Sequence, residues 1–369
     1  MKNLLYSSLV VLFVLIFFAA CENPEVDTKS SVPIKFKVDV PSSISNASVK
    51  KSAQDDSLAG NDLYEHLRTF VWLGESSADF VQSIMTAIQE NNIDREMSFS
   101  DVSKEDGRLK TFTVKKDVKQ ENANWDFEID IDDPDGIAAQ IVWNNSPVKG
   151  FAIINLYNSN RSENHDPNAM IRIDYSEAGD IQPYSNYMIV SISGLDVSNN
   201  FDINALKMFV GKNGNNIDVF GNSNHPKMKL FDLNYNDGYN WAFVARSNEA
   251  LDVAVAKVGL TPCNYNELGK IFTDYSFKNT LGKELHALCD PYVGVWFVDQ
   301  QAADNHVNSY LVDAEAPAYF NPNGFISCGQ NVPNVAGFTT EFINLNNLNP
   351  YIPQMVNDLE IKFLSKPVK

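Results

Sequence analysis

Asp130, Asp132, Asp133 and Asp135 set four carboxylates within six residues, and Gly136 follows them. Calcium takes several carboxylate oxygens at once and needs a backbone that can wrap around it, so the cluster is a calcium candidate. Its spacing is not that of an EF-hand, no Glu closes the far end, and a solvated acidic face accounts for the same residues. A second constellation is the polar run at 158–166. Asn160 and Arg161 offer an amide and a guanidinium to an anion, and Glu163, His165 and Asp166 form an acid/base set. Loops held by rigid strands are where such groups act, and any exposed connection is also polar. Third, His286 and Cys289 lie three apart, on one face of a helix, and Cys263 with Cys328 would complete a Cys3His zinc set. The same three thiols compete for a disulfide. No GxSxG elbow, HExxH, GxxxxGK[ST] or strand-linked GxGxxG occurs. Carboxylate pairs that cleave glycosides leave no such local signature. Calcium aside, no pattern here calls for a cofactor.

The acidic cluster sits where two alternating runs meet, around Asp133-Pro134-Asp135-Gly136. Pro134 pre-sets φ for a type I turn, and Gly136 can close it with a G1 bulge. With Asp133 opposite Ile137, Ile131 faces Ala139, Ile129 faces Ile141 and Phe127 faces Trp143. Trp125 lies just beyond on the same face. Asp126, Glu128, Asp130 and Asp132 point the other way. A core must cover the apolar face, and water or a cation the acidic one. That places Trp125 and Trp143 inside and leaves Trp72, Trp241 and Trp296 open, with the core as the favoured home of each and a platform for sugars as the alternative.

The neighbouring elements follow from periodicity. Residues 34–40 alternate as a half-buried strand, and 42–57 read as loop. Leu63, Leu67, Phe70 and Val71 repeat at helical spacing up to Gly74. Ser76 and Asp79 resemble a capping box for a second helix bearing Phe80, Val81, Ile84, Ala87 and Ile88, so 61–93 reads as a helical hairpin. Further strands are expected at 110–119, 150–157, 169–175, 187–193, 206–210, 217–220, 239–246 and 251–258. The strand at 150–157 is apolar on both faces and belongs in the middle of a sheet. A helix is expected at 279–289, a strand at 292–298 and an edge strand at 361–364. The fold class is α+β, a mostly antiparallel, curved β-meander with an N-terminal helical hairpin packed against it. The sheet spans 34–259, and 260–369 is a mixed α/β region.

Composition bounds the setting. The formal charge is −18, which repels phosphate backbones and anionic lipid, so no nucleic-acid partner is expected. Lys2 precedes an almost unbroken apolar run at 4–18, closed by Phe18-Ala19-Ala20-Cys21. This leader resembles a bacterial lipoprotein signal, with Phe18 where Leu, Val or Ile is commoner. The resemblance implies removal of residues 1–20, acylation of Cys21 with palmitate-type chains, and membrane contact through that N-terminal lipid. A plain cleaved signal and an uncleaved anchor are the alternatives. Residues 21–33 are polar and aperiodic, a flexible tether. Glu22, Glu25 and Asp27 resemble the acidic address of some surface-exposed lipoproteins. An outer-membrane lipoprotein, facing the periplasm or the cell exterior, is the expected localisation. Its oxidising surroundings permit one bridge among Cys263, Cys289 and Cys328, with three pairings open.

The sequence therefore points to a lipid-anchored, non-catalytic binding or assembly module for a small molecule, glycan or protein. In a narrower version, a half-barrel closed by the helices holds an apolar ligand. The alternative is an extracytoplasmic hydrolase of polysaccharide or peptide.

Overall fold

The computed structural model describes residues 35–46, 60–90, 95–162, 166–198, 202–232, 234–327 and 337–364. The leader, Cys21, the tether, Glu163, His165 and Cys328 lie outside the described residues. Two compact units are present. One comprises Met1–Val38, Gly74–Asp196 and Glu360–Lys369, and the other Asp39–Leu73 and Val197–Leu359. The expected fold class is what forms, antiparallel meander strands with helices.

The helical element is one continuous helix, α1 (Gly60–Glu90), and not a hairpin. Gly74, read as the turn, lies inside it. A single glycine costs about 1 kcal/mol relative to Ala, too little to end a helix whose apolar stripe runs past it on both sides. Residues 35–40 form no strand.

In the first unit the strands are β1 (Met97–Val102), β2 (Leu109–Gln120), β3 (Ala123–Asp133), β4 (Gly136–Asn145), β5 (Val148–Asn155), β6 (Met170–Ser176) and β7 (Asn186–Ser193). Each pairs antiparallel with the next in the chain. A short helix, α2 (Leu156–Ser159), follows β5, because the Asn155 side chain accepts from Asn158 N and caps it. The expected pairs Phe127 with Trp143, Ile129 with Ile141 and Ile131 with Ala139 are all present. The turn is tighter than expected. Asp133 pairs with Gly136 and Asp132 with Ile137, so the extra residue is Ala138 and the bulge sits inside β4. Trp143 is fully buried and Trp125 half-buried. Phe151, Ala152, Ile153 and Ile154 on β5 are all buried, as a strand covered on both faces requires. Phe36 packs on Tyr175 of β6 at 5.2 Å and donates its backbone N–H to Gln82 of α1, while Val38 N reaches Met188 Sδ of β7. Residues 36–38 thus lie between helix and sheet. Residues 361–364 do not become a strand, although Leu364 N donates to Gln140 Oε1 at 2.7 Å.

In the second unit β8 (Ala205–Asn213), β9 (Asn216–His225), β10 (Tyr239–Asn248), β11 (Val253–Pro262), β12 (Ala318–Asn321) and β13 (Gly324–Phe325) again pair in chain order. Between β11 and β12 come α3 (Phe277–Cys289) and α4 (Gln300–Tyr310), and α5 (Pro353–Asn357) lies near the C-terminus. Trp241 on β10 packs against Phe70 and His66 of α1. Residues on the opposite face of the same strands meet the segment after 337. Val244, Val253 and Val255 cluster with Phe338, Phe342, Leu345 and Leu348. Among the described residues no helix is long and apolar enough to cross a membrane.

Candidate functional site

Parts of the two polar constellations of the first unit, Asp133 and Asp135 of one and Asn158 and Arg161 of the other, come together at one end of its sheet. Arg108, just before β2, donates to Asp133 from Nε at 2.8 Å and from Nη2 at 2.7 Å, and to Asp135 at 2.6 Å. Lys110 Nζ donates to Asp106, Asp133 and the carbonyl of Asn158 at 3.0, 2.7 and 2.7 Å. Arg161 lies 2.9 Å from Asp135, stacks its guanidinium 3.7 Å above the Tyr157 ring and donates its backbone N–H to Asp106. Asn160 Oδ1 accepts from the backbone and hydroxyl of Ser162, and Asp166 Oδ1 from Asn168 N. Burial opposes ionisation of Asp133, but the bonds from Arg108 and Lys110 outweigh it and hold the carboxyl well below its usual range. Cations and carboxylates balance here. Such a cluster rivets three loops together.

Asp130 belongs to a different set. Lys115 of β2 donates to Glu128 at 2.5 Å and to Asp130 at 2.7 Å. Gln120 completes Glu128 and Gln140 completes Asp130. The middle of the acidic face, expected to meet water or a cation, is buried against a cation from the preceding strand, with Glu128 at 1 % and Asp130 at 2 % exposure, while Asp126 is exposed and Asp132 partly so. Asp130 and Asp133 thus have separate cation partners.

His286 meets carboxylates of the second unit. Its Nδ1 lies 3.4 Å from Asp290 Oδ1 and 3.9 Å from Asp304 Oδ1, and Gln300 Nε2 donates to both carboxylates at 2.9 Å. Among the described residues it is the one group of three His, Cys, Asp or Glu side chains whose ligand atoms all lie within 4.8 Å of one another. Cys263 and Cys289 are free thiols. Burial pushes the Cys263 thiol up to about 11, against a bond from Asn224.

The feature missed by sequence reasoning lies between His286 and Asp304. Residues 292–298, expected as a strand, fold into a tight turn. Gly294 takes φ +82°, and Val295, Trp296 and Phe297 all donate their N–H to the carbonyl of Tyr292. Tyr292 and Trp296 stack at 4.2 Å with their planes 7° apart. Trp296 is 74 % exposed, Val295 73 % and Val298 85 %. The His286–Asp290–Gln300–Asp304 network closes the base of this tip, and Asp299 caps α4 by accepting from Ala302 N. Its sequence signal was an eight-residue uncharged run at 291–298, between Asp290 and Asp299, with Pro291 and Gly294 as turn formers. Of the three open tryptophans, Trp241 is buried, Trp72 half-buried, and Trp296 is the exposed one.

No protein-family model, no curated protein and no solved structure matches this chain.

Proposed function

We propose that the protein is a lipid-anchored envelope lipoprotein, held at the outer membrane through Cys21, that acts as a non-catalytic binding module. Its contact surface is the apolar tip at 291–298. The observation that carries this reading is the exposure of Val295, Trp296 and Val298 on one short turn. Full burial of a side chain such as Val295 or Val298 is worth roughly 1.5–3 kcal/mol, so the tip holds binding energy that the fold leaves unused. The charged groups in the first unit support binding over catalysis, since Asp130, Asp133, Asp135, Arg108, Lys110 and Arg161 are engaged with one another or with neighbouring strands.

The test is the accessibility of a Val295→Cys thiol to a membrane-impermeant maleimide, read by peptide mass so that Cys263, Cys289 and Cys328 are counted separately. The purified chain should label at 295, and the chain in native envelopes should be protected. A Val102→Cys control, at a position 56 % exposed on β1, should label in both. Equal labelling of 295 in both preparations would remove the tip as the contact surface.

A further inference from the structure

We infer that the tip is a second membrane contact, which sets Trp296 and Tyr292 at the headgroup level of a zwitterionic bilayer and Val295 and Val298 at the acyl boundary. The inference rests on the tip being the contact surface, and names what it touches.

Composition argues first. Residues 291–298 are Pro, Tyr, Val, Gly, Val, Trp, Phe and Val, and their polar side-chain atoms are the Tyr292 hydroxyl and the Trp296 indole N–H. Rings that are apolar in body and polar at one edge favour the layer between hydrocarbon and water, with aliphatic neighbours reaching deeper. A sugar site would instead interleave its aromatic platform with amides and carboxylates that pair with hydroxyls. Here such groups stand at the base, at Asp290, Asp299, Gln300 and Asp304, and none is in the turn itself.

Backbone bonding argues second, and independently. A segment entering an apolar phase must satisfy its own N–H groups. Pro291 has none. Val293 N donates to the Asp290 carbonyl at 3.2 Å, Gly294 N to that of Phe297 at 2.6 Å, and Val295, Trp296 and Phe297 N to that of Tyr292 at 3.0, 2.9 and 3.2 Å. Every N–H from 293 to 297 is thus bonded within the tip, so the centre of the turn carries its own donors' partners with it when water is removed.

Charge and tethering choose the surface. The net charge of −18 and the carboxylates at the base disfavour anionic lipid, and they limit entry to the turn. An acylated Cys21 would keep the chain at a bilayer, so a weak contact is multiplied by effective concentration. Stable attachment generally needs two such signals.

The experiment uses the full chain in phosphatidylcholine vesicles with and without bromine on the acyl chains. The Trp296 signal is isolated as the difference between the parent and Trp296→Phe. It should be blue-shifted by the vesicles and quenched by the brominated lipid relative to the unbrominated one. Val295→Asp with Val298→Asp should abolish the quenching while far-UV circular dichroism is unchanged, and added phosphatidylglycerol should weaken it. An unquenched Trp296 overturns the bilayer assignment. If Val295→Cys is nonetheless protected in envelopes, the contact is with a protein, a glycan or a second copy of the chain. If it is not protected, the contact-surface reading fails as well.

Discussion

Replacing Asp133 by Asn removes one negative charge from the balanced cluster at the end of the first unit and changes almost nothing in shape. Asp133 has a fully buried side chain and accepts from Arg108 at 2.8 and 2.7 Å, from Lys110 at 2.7 Å and from Asp135 N at 3.0 Å. The amide places a donor against those donors. Lys110, whose side chain is 6 % exposed, keeps only Asp106 as an ionic partner. Breaking a buried pair from one side costs about 3–5 kcal/mol, whereas an exposed pair is worth about 0–1 kcal/mol. Asp133→Asn should therefore cost about 3 kcal/mol or more, and Asp135→Asn, at a side chain 55 % exposed, under about 1 kcal/mol. Native-state hydrogen exchange of the full chain is the assay. Protection of β2 to β4 amides should fall by about two orders of magnitude in the first variant and by less than about tenfold in the second. The pH dependence has a definite sign. The folded carboxyl is held below its unfolded value, so its contribution is complete above about pH 4 and is lost as pH falls through the folded value. The gap between wild type and Asp133→Asn should thus narrow in acid. Equal effects of the two variants, or a gap that widens in acid, would refute the reasoning.

Lys115→Met leaves Glu128 and Asp130 buried without their cation; since Lys115 is partly exposed, a loss of about 2 kcal/mol is expected at neutral pH. The melting temperature at neutral pH reads this loss directly. Gly150→Ala places a Cβ 2.1 Å from the Val142 carbonyl and 2.8 Å from Trp143 Cα, so urea unfolding should show a loss of about 3 kcal/mol or more. Gly179→Ala, where the Cβ meets nothing within 4 Å, should show only the strain of its φ of +63°, about 1 kcal/mol. Iodoacetamide at mild alkaline pH should alkylate Cys289 before Cys263, whose thiol is pushed up to about 11 by burial; peptide mapping over time gives the order.

Local periodicity carried most of the first unit. Alternation and the Pro134–Gly136 turn were enough to pair Phe127 with Trp143 and Ile129 with Ile141, because a slip of one residue would exchange the two faces. The partner of the acidic face was not legible. Glu128 and Asp130 read as solvated until β2 sets Lys115 beside them, and that contact joins residues 13 and 15 positions apart. Gly74 misled because a helix-breaking residue was weighed without the apolar stripe that continues past it. The run at 292–298 misled in the opposite direction. Val-rich composition favours a strand, but among the described residues no other strand pairs with it, and Gly294 lets the chain fold back on the Tyr292 carbonyl. Exposure of that run depends on what packs over it, so Trp296 could be placed only by the fold.

The most direct test of the tip as the contact surface is a photo-crosslinking phenylalanine analogue at Val298, the most exposed of its side chains at 85 %. Irradiation in intact envelopes should give an adduct at 298 and none at a matched analogue at Val102. No adduct at 298, or equal adducts at both positions, would contradict the account.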